Sequence, residues 1–303
     1  MNPSPGVYVW DQMDVIAEAL RRRGRKLWFT LGSTPDHARI GAAYADAYGN
    51  PSGASAASPA AVAAFATAFF SRYKGLVAYA ECRNEPASDS GFYKGTDSQL
   101  VAEMKAFFQA AKAVDSGITV VSPSDWSAGG RLRDILTTGD GAGGVGQDWC
   151  EVINVHPYYR YWDDDPYLRT GQGTSVGVYM RALRTNLLNA GVREMPIMWG
   201  ESGYASSPSS PEHIAASTSA DPEKVYADWA IRLALGCAVE RVQKLMLYDH
   251  DGPLALSGSP YLSERLSAAW NAISNICGRT IVSISKSPGG QYKVVTTTGT
   301  VTL

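Results

Sequence analysis

Two glutamates stand at the ends of two apolar runs in this chain of 303 residues. The run Gly75-Leu76-Val77-Ala78-Tyr79-Ala80 ends in Glu81-Cys82-Arg83-Asn84-Glu85-Pro86, and Met195-Pro196-Ile197-Met198-Trp199 ends in Gly200-Glu201-Ser202-Gly203. A short apolar run halted by proline or glycine reads as a buried strand emerging at a surface. Each glutamate would then sit on a strand rim. Two carboxylates whose surroundings differ can divide acid and base duties between them.

The elements that must position these groups follow from hydrophobic periodicity. Helices are expected over Trp10–Arg23, from Ser58-Pro59 to Tyr73, over Asp97–Val114, Arg131–Leu136 and about Thr174–Asn189, from Asp221-Pro222, and over Leu262–Cys277. The first is expected to bury Val15, Ile16, Ala19 and Leu20. Strands are expected at Leu27–Leu31, Gly75–Glu81, Ile118–Ser122, Glu151–Val155, Pro196–Trp199 and Lys244–Tyr248. Continuous rather than alternating apolar strands between helices indicate a parallel sheet covered on both faces or closed into a barrel. Polar or aromatic residues end nearly every strand: Thr34, Asn84 and Glu85, Asp125 and Trp126, His156 and Tyr158, Glu201, Tyr248 and Asp249. A barrel builds its site from that face with contributions from many strands, and no Gly-x-Gly-x-x-Gly follows the first strand, so the fold expected is α/β, a (β/α)₈ TIM-barrel type. From Thr280 the pattern changes to short alternating strands around Pro288-Gly289-Gly290. The expected division is therefore a barrel domain over 1–278 and the start of a small β accessory region over 279–303.

Composition narrows the partners. A net charge of −2 gives no reason to expect nucleic acid or an anionic membrane, and no stretch approaches the roughly 20 apolar residues of a membrane span. The N-terminus shows no signal peptide. The four cysteines include no CxxC pair, and the four histidines are never three to five residues apart, so no metal site and no cofactor are expected.

Asn84-Glu85-Pro86, with Glu201 on the third strand after it, resembles the retaining glycoside hydrolases of clan A, (β/α)₈ enzymes with an acid/base glutamate after strand four and a nucleophile glutamate after strand seven. Leu31-Gly32-Ser33-Thr34-Pro35 and Val155-His156-Pro157-Tyr158 resemble the ends of strands three and six in the family 39 branch, and the likeness covers about residues 6–278. Aligned in this way, strands three to eight are present. The first two strands, with the strand-two arginine, are expected from an upstream segment or another chain. Met246-Leu247-Tyr248 stands where strand eight usually carries a tryptophan, and His37 where one is common after Thr-Pro.

The resemblance implies a retaining β-glycoside hydrolase acting on an oligo- or polysaccharide by double displacement. Glu201 attacks the anomeric carbon while Glu85 protonates the leaving oxygen and later activates water, across a carboxyl separation of roughly 5–5.5 Å. The Glu201 charge favours protonated Glu85, and that charge vanishes when Glu201 becomes an ester. Asn84 is expected on the sugar 2-hydroxyl, with His156 and Tyr158 as donors to Glu201. Trp126, Tyr204, Tyr248 and His37 are expected around the sugars, where pyranose C–H faces pack on rings. Glu81, Asp125 and Asp249 read as structural or rim groups. The alternative is a non-catalytic carbohydrate-binding or structural module, on a virion or cell surface, using a degenerate barrel. A metal-dependent or phosphate-handling barrel enzyme has little support in the histidine spacing.

Overall fold

The computed structural model describes residues 3–46, 49–86, 92–157, 176–203, 233–247, 281–286, 292–296 and 299–302. The chain divides into two compact units, one of residues 1–156 with 184–197, the other of 157–183 with 198–303.

The first unit alternates helix and strand: α1 (Asp11–Arg22), β1 (Leu27–Leu31), α2 (Pro59–Arg72), β2 (Val77–Cys82), α3 (Asp97–Val114), β3 (Thr119–Val121), α4 (Gly130–Thr137) and β4 (Ile153–Val155). β1, β2 and β3 lie side by side and parallel, with Thr30 opposite Glu81 and Glu81 opposite Val121. Parallel bridges from Val121 to Val152 and from Asp125 to Val155 carry the order on to β4. α3 starts in a capping box, in which the Thr96 hydroxyl accepts from Gln99 N–H and the Gln99 side chain accepts from Thr96 N–H. Its length and that of β1 match the periodicity.

The core between α2, α3 and β1 is aromatic. Phe29 of β1 stacks on Phe69 with ring centroids 3.9 Å apart, and Phe70 and Phe107 close over it edge-on and offset. Burying each such ring contributes on the order of 1.5–3 kcal/mol. Helix α1 uses a different face from the one its apolar residues suggest. Val15 and Ile16 are 71% and 47% exposed, while Ala17 is buried. Trp10 packs on Phe65, Phe69 and Tyr73, and one turn later Asp14 takes Arg72 and the Tyr73 hydroxyl. An indole and an ion pair thus set the rotation of the helix, and the two β-branched side chains are left outside.

In the second unit β5 (Ile197–Ser202) lies beside β6 (Val242–Leu247). The first turns of α5 (Val176–Asn189) pack on β5, where Tyr179 meets Trp199 edge-on at 5.7 Å and Trp199 Nε1 donates to Met180 Sδ. Residues 281–302 hold a three-stranded antiparallel sheet of β7 (Ile281–Lys286), β8 (Tyr292–Thr296) and β9 (Gly299–Thr302). Of the helix expected from Asp221, residues 233–239 are described and are helical, with Leu235 buried; its start, and the helix expected over Leu262–Cys277, lie outside the described residues. No helix among the described residues is long and apolar enough to cross a membrane.

Candidate active site

β2 ends in a kink that presents Glu85. Arg83 and Glu85 both have positive φ, 81° and 37°, with Asn84 half-buried between them. Left-handed backbone at a non-glycine residue costs on the order of 1–3 kcal/mol and persists only where the surroundings impose it. Two clamps do so here. Arg83 is buried, its Nε donating to Glu103 Oε2 at 2.8 Å and its Nη2 to Thr34 Oγ1 at 2.6 Å, while Nη1 reaches the carbonyl of Gly32. Glu85 N–H donates to Ser124 Oγ at 2.9 Å, and the Glu85 carboxylate, 15% exposed, lies 3.0 Å from His156 Nδ1.

Burial, the largest single influence, opposes the charge on Arg83, but the Glu103 carboxylate, by its charge and its hydrogen bond, acts together with neighbouring Cys82 and Tyr93 to hold the guanidinium above its ordinary range. Glu103 also accepts from Ala57 N–H at 2.7 Å and from the Tyr93 hydroxyl at 3.1 Å. Burial and that same carboxylate push the Tyr93 phenol up.

Behind Glu85 a polar network crosses four neighbouring strand ends. Glu81, only 1% exposed, accepts on Oε2 from Thr30 Oγ1 at 2.9 Å, and on Oε1 from Ser124 N at 3.0 Å and Asn154 Nδ2 at 3.1 Å. Trp28 Nε1 donates to Thr30 Oγ1, and Asn154 Nδ2 lies 3.4 Å from His156 Nε2. The His156 backbone N–H donates to the carbonyl of Asp125 at 2.9 Å. The Asp125 carboxylate is occupied locally, accepting from Ser127 N, Ser127 Oγ and Leu132 N, which fixes the loop between β3 and α4.

Of the residues singled out from the sequence, the structure brings Glu85 and His156 into contact. It places Asn84 beside Glu85 in the chain and leaves Trp126 48% exposed on the loop that Asp125 fixes. His37 is exposed in a 3-10 turn over Asp36–Ala38. In the second unit Glu201 is half-buried, still within β5, and the next side chain, Ser202, donates to the carbonyl of Pro157 at 2.9 Å. Tyr158, Tyr204 and Tyr248 lie outside the described residues.

Glu81, Asn154 and Ser124 carry the network without standing out as site residues in the sequence. Glu81 reads there as a structural or rim group, and it is among the least exposed carboxylates of the described residues. A signal was present: Asn154 in β4 and His156 just after it are two apart, the spacing of one face in extended chain. A cleft of about 740 Å³ runs along β1, lined by Phe29, Leu31, Val62, Phe65, Thr34 and Arg83, and neither Glu85 nor His156 borders it.

No protein-family model matches the sequence, and no curated protein matches it. Solved structures do. A GH39 enzyme from Xanthomonas axonopodis pv. citri superposes with a TM-score of 0.63 at 14% identity, covering 97% of this chain and 62% of that one. A glucosidase from Croceicoccus marinus gives 0.62 at 13% identity, covering 97% and 60%. A monomeric beta-xylosidase from Caulobacter crescentus CB15 gives 0.58 at 18% identity, covering 80% and 49%. The chain therefore has an α/β fold of the (β/α)₈ TIM-barrel type seen in clan A glycoside hydrolases, and spans about half to three-fifths of the length of these structures.

Proposed function

We propose that the chain is the catalytic part of a retaining β-glycoside hydrolase acting on an oligo- or polysaccharide, with Glu85 as acid/base and Glu201 as nucleophile. The observation that carries this reading is the state of Glu85. It is a strand-end carboxylate on a left-handed backbone, mostly shielded from water and hydrogen-bonded by a buried imidazole. A rim glutamate with no task needs none of these supports. The fold shared with a glucosidase and a beta-xylosidase supports the substrate class.

In this mechanism Glu201 attacks the anomeric carbon and Glu85 gives its proton to the glycosidic oxygen, which leaves as the alcohol. Glu85 then takes a proton from water, and that water attacks the same carbon and releases Glu201 as a carboxylate. The two carboxyl groups must approach to roughly 5–5.5 Å for this to occur. Asn84 would hold the sugar 2-hydroxyl, and Trp126, on its fixed loop, would offer a sugar-stacking ring. The catalytic domain would run over 1–278, with an accessory β region beginning at 279.

The test is hydrolysis of a panel of aryl β-glycosides and polysaccharides by wild type, Glu85→Gln and Glu201→Gln, with the first-formed anomer followed by proton NMR. Both variants should lose at least about 100-fold in turnover, as expected on removing an acid/base group or a nucleophile. Turnover unaffected by both changes, or an inverted first product, would sink the reading.

A further inference from the structure

Among the described residues β1 is the edge of its sheet, paired with β2 on one side and with no strand on the other. Its ladder ends in Leu27 N–H donating to the carbonyl of Leu76 at 3.0 Å and in Arg83 N–H donating to the carbonyl of Leu31 at 3.2 Å. Successive residues of a strand turn their backbone groups to opposite sides, so Leu27, Phe29 and Leu31 serve β2. Trp28 and Thr30 then turn N–H and C=O outward, where no backbone partner meets them among the described residues. Such edges are commonly blunted by a charge or a proline, and Leu27-Trp28-Phe29-Thr30-Leu31 carries neither.

The cleft of about 740 Å³ follows this edge, walled by Val9, Phe29, Leu31, Val62 and Phe65. A residue within a sheet fills about 160 Å³, from a rise of about 3.3 Å, a strand spacing of about 4.8 Å and a layer spacing of about 10 Å. The cleft therefore has room for about five strand residues, as many as β1 contains. Its two ends differ in charge. Arg21, Arg22, Arg23, Arg25 and Lys26 are all exposed just ahead of β1, and among the described residues only Arg22 is held in an ion pair, with Glu18.

We propose that this edge is a docking site for an extended segment of a separate polypeptide chain, which adds a strand beside β1 and carries carboxylates at the end next to the basic run at 21–26. The segment bonds the outward backbone groups of Trp28 and Thr30. Its alternate side chains are apolar and enter the cleft against Phe29, Val62 and Phe65. Main-chain hydrogen bonds supply the affinity in this mode, and the pockets for alternate side chains supply the selectivity. Complementary charge at one end speeds encounter and makes binding sensitive to salt. Neither Glu85 nor His156 borders the cleft, so this surface stands or falls apart from the glycosidase reading.

The probe is the peptide Glu-Asp-Val-Thr-Val-Thr-Val-Asp-Glu, acidic at both ends so that it can dock in either direction. It is titrated into the full chain while amide exchange is resolved by NMR. Exchange at Trp28 and Thr30 should slow at least about tenfold at saturation, while the Phe29 amide, already bonded to β2, changes little. Replacing the central valine of the peptide by proline removes a donor and should weaken binding at least about tenfold. Lysines in place of the four acids should weaken it at least about fivefold at low salt, with the gap closing near 0.5 M salt. Val9→Lys, at a half-exposed wall position, should likewise cost at least about tenfold in affinity by placing a charge over the edge. No binding, or binding that leaves the Trp28 and Thr30 amides unprotected, would overturn the proposal. So would equal binding of the proline or lysine peptides, or unchanged affinity in Val9→Lys. A concentration-dependent dimer in light scattering, with both amides protected before peptide is added, would put a second copy on the edge and overturn the assignment to a separate chain.

Discussion

Removing the Glu103 carboxylate from beneath Arg83 tests whether the kink before Glu85 is imposed by its surroundings. Arg83 and Glu103 have side chains only 2% and 0% exposed, and Arg83 Nε and Nη2 lie 2.8 Å and 2.7 Å from the same Glu103 oxygen. In Glu103→Leu the guanidinium keeps Gly32 O and Thr34 Oγ1 but loses its counter-charge, while Ala57 N–H loses its acceptor. Breaking a buried pair by removing one partner costs about 3–5 kcal/mol, because the other charge is left uncompensated. With a urea m-value of about 2 kcal/mol per molar, the unfolding midpoint should fall by about 1.5–2.5 M. Arg83→Met/Glu103→Leu should recover much of that loss, since an apolar replacement of a buried pair is often neutral. Urea titrations followed by tryptophan fluorescence would measure both. A shift below about 0.5 M in Glu103→Leu, or a double variant as unstable as the single, would refute the reasoning.

Two further outcomes follow from the same geometry. Ser124→Ala removes the acceptor of Glu85 N–H and should cost about 1–3 kcal/mol in urea unfolding, with Ser124→Thr restoring part of it; full stability in the alanine variant would show that the kink holds without this bond. Asp140 is held down to about 2 by its hydrogen bond to Lys105, helped by the N–H groups of Ala142 and Gly144. An unfolded aspartate titrates near 3.9, so this stabilisation is complete above about pH 5 and is lost as pH falls toward 2. Urea midpoints of wild type and Asp140→Asn should therefore converge over that acid range, and a constant gap would contradict the assignment.

The strand–helix alternation and the place of Glu85 just beyond the end of β2 were legible because they depend on local pattern. Leu27–Leu31 and Asp97–Val114 have the bounds that hydrophobic periodicity and the glycine after β1 indicate. The exposed face of α1 was not legible, because its rotation is set by Arg72 and Tyr73, some 58 residues away in sequence from Asp14. The inner place of Glu81 was hidden for a related reason. A glutamate in an apolar strand is costly unless donors meet it, and those donors arrive from Thr30, Ser124 and Asn154 on three other segments. Strand pairing creates the site's inner layer, and sequence spacing alone does not show which strands pair.

Cys82 lies fully buried in β2, three positions before Glu85, and burial drives its thiol well above the ordinary cysteine range. A thiol in that state cannot react until the strand around it opens. The chain thus carries a native chemical clock on the segment that bears Glu85. The rate at which an alkylating reagent marks the Cys82 peptide, read by mass spectrometry, reports every opening that exposes β2, and comparing it with the global unfolding rate tells whether that strand opens before the whole molecule does.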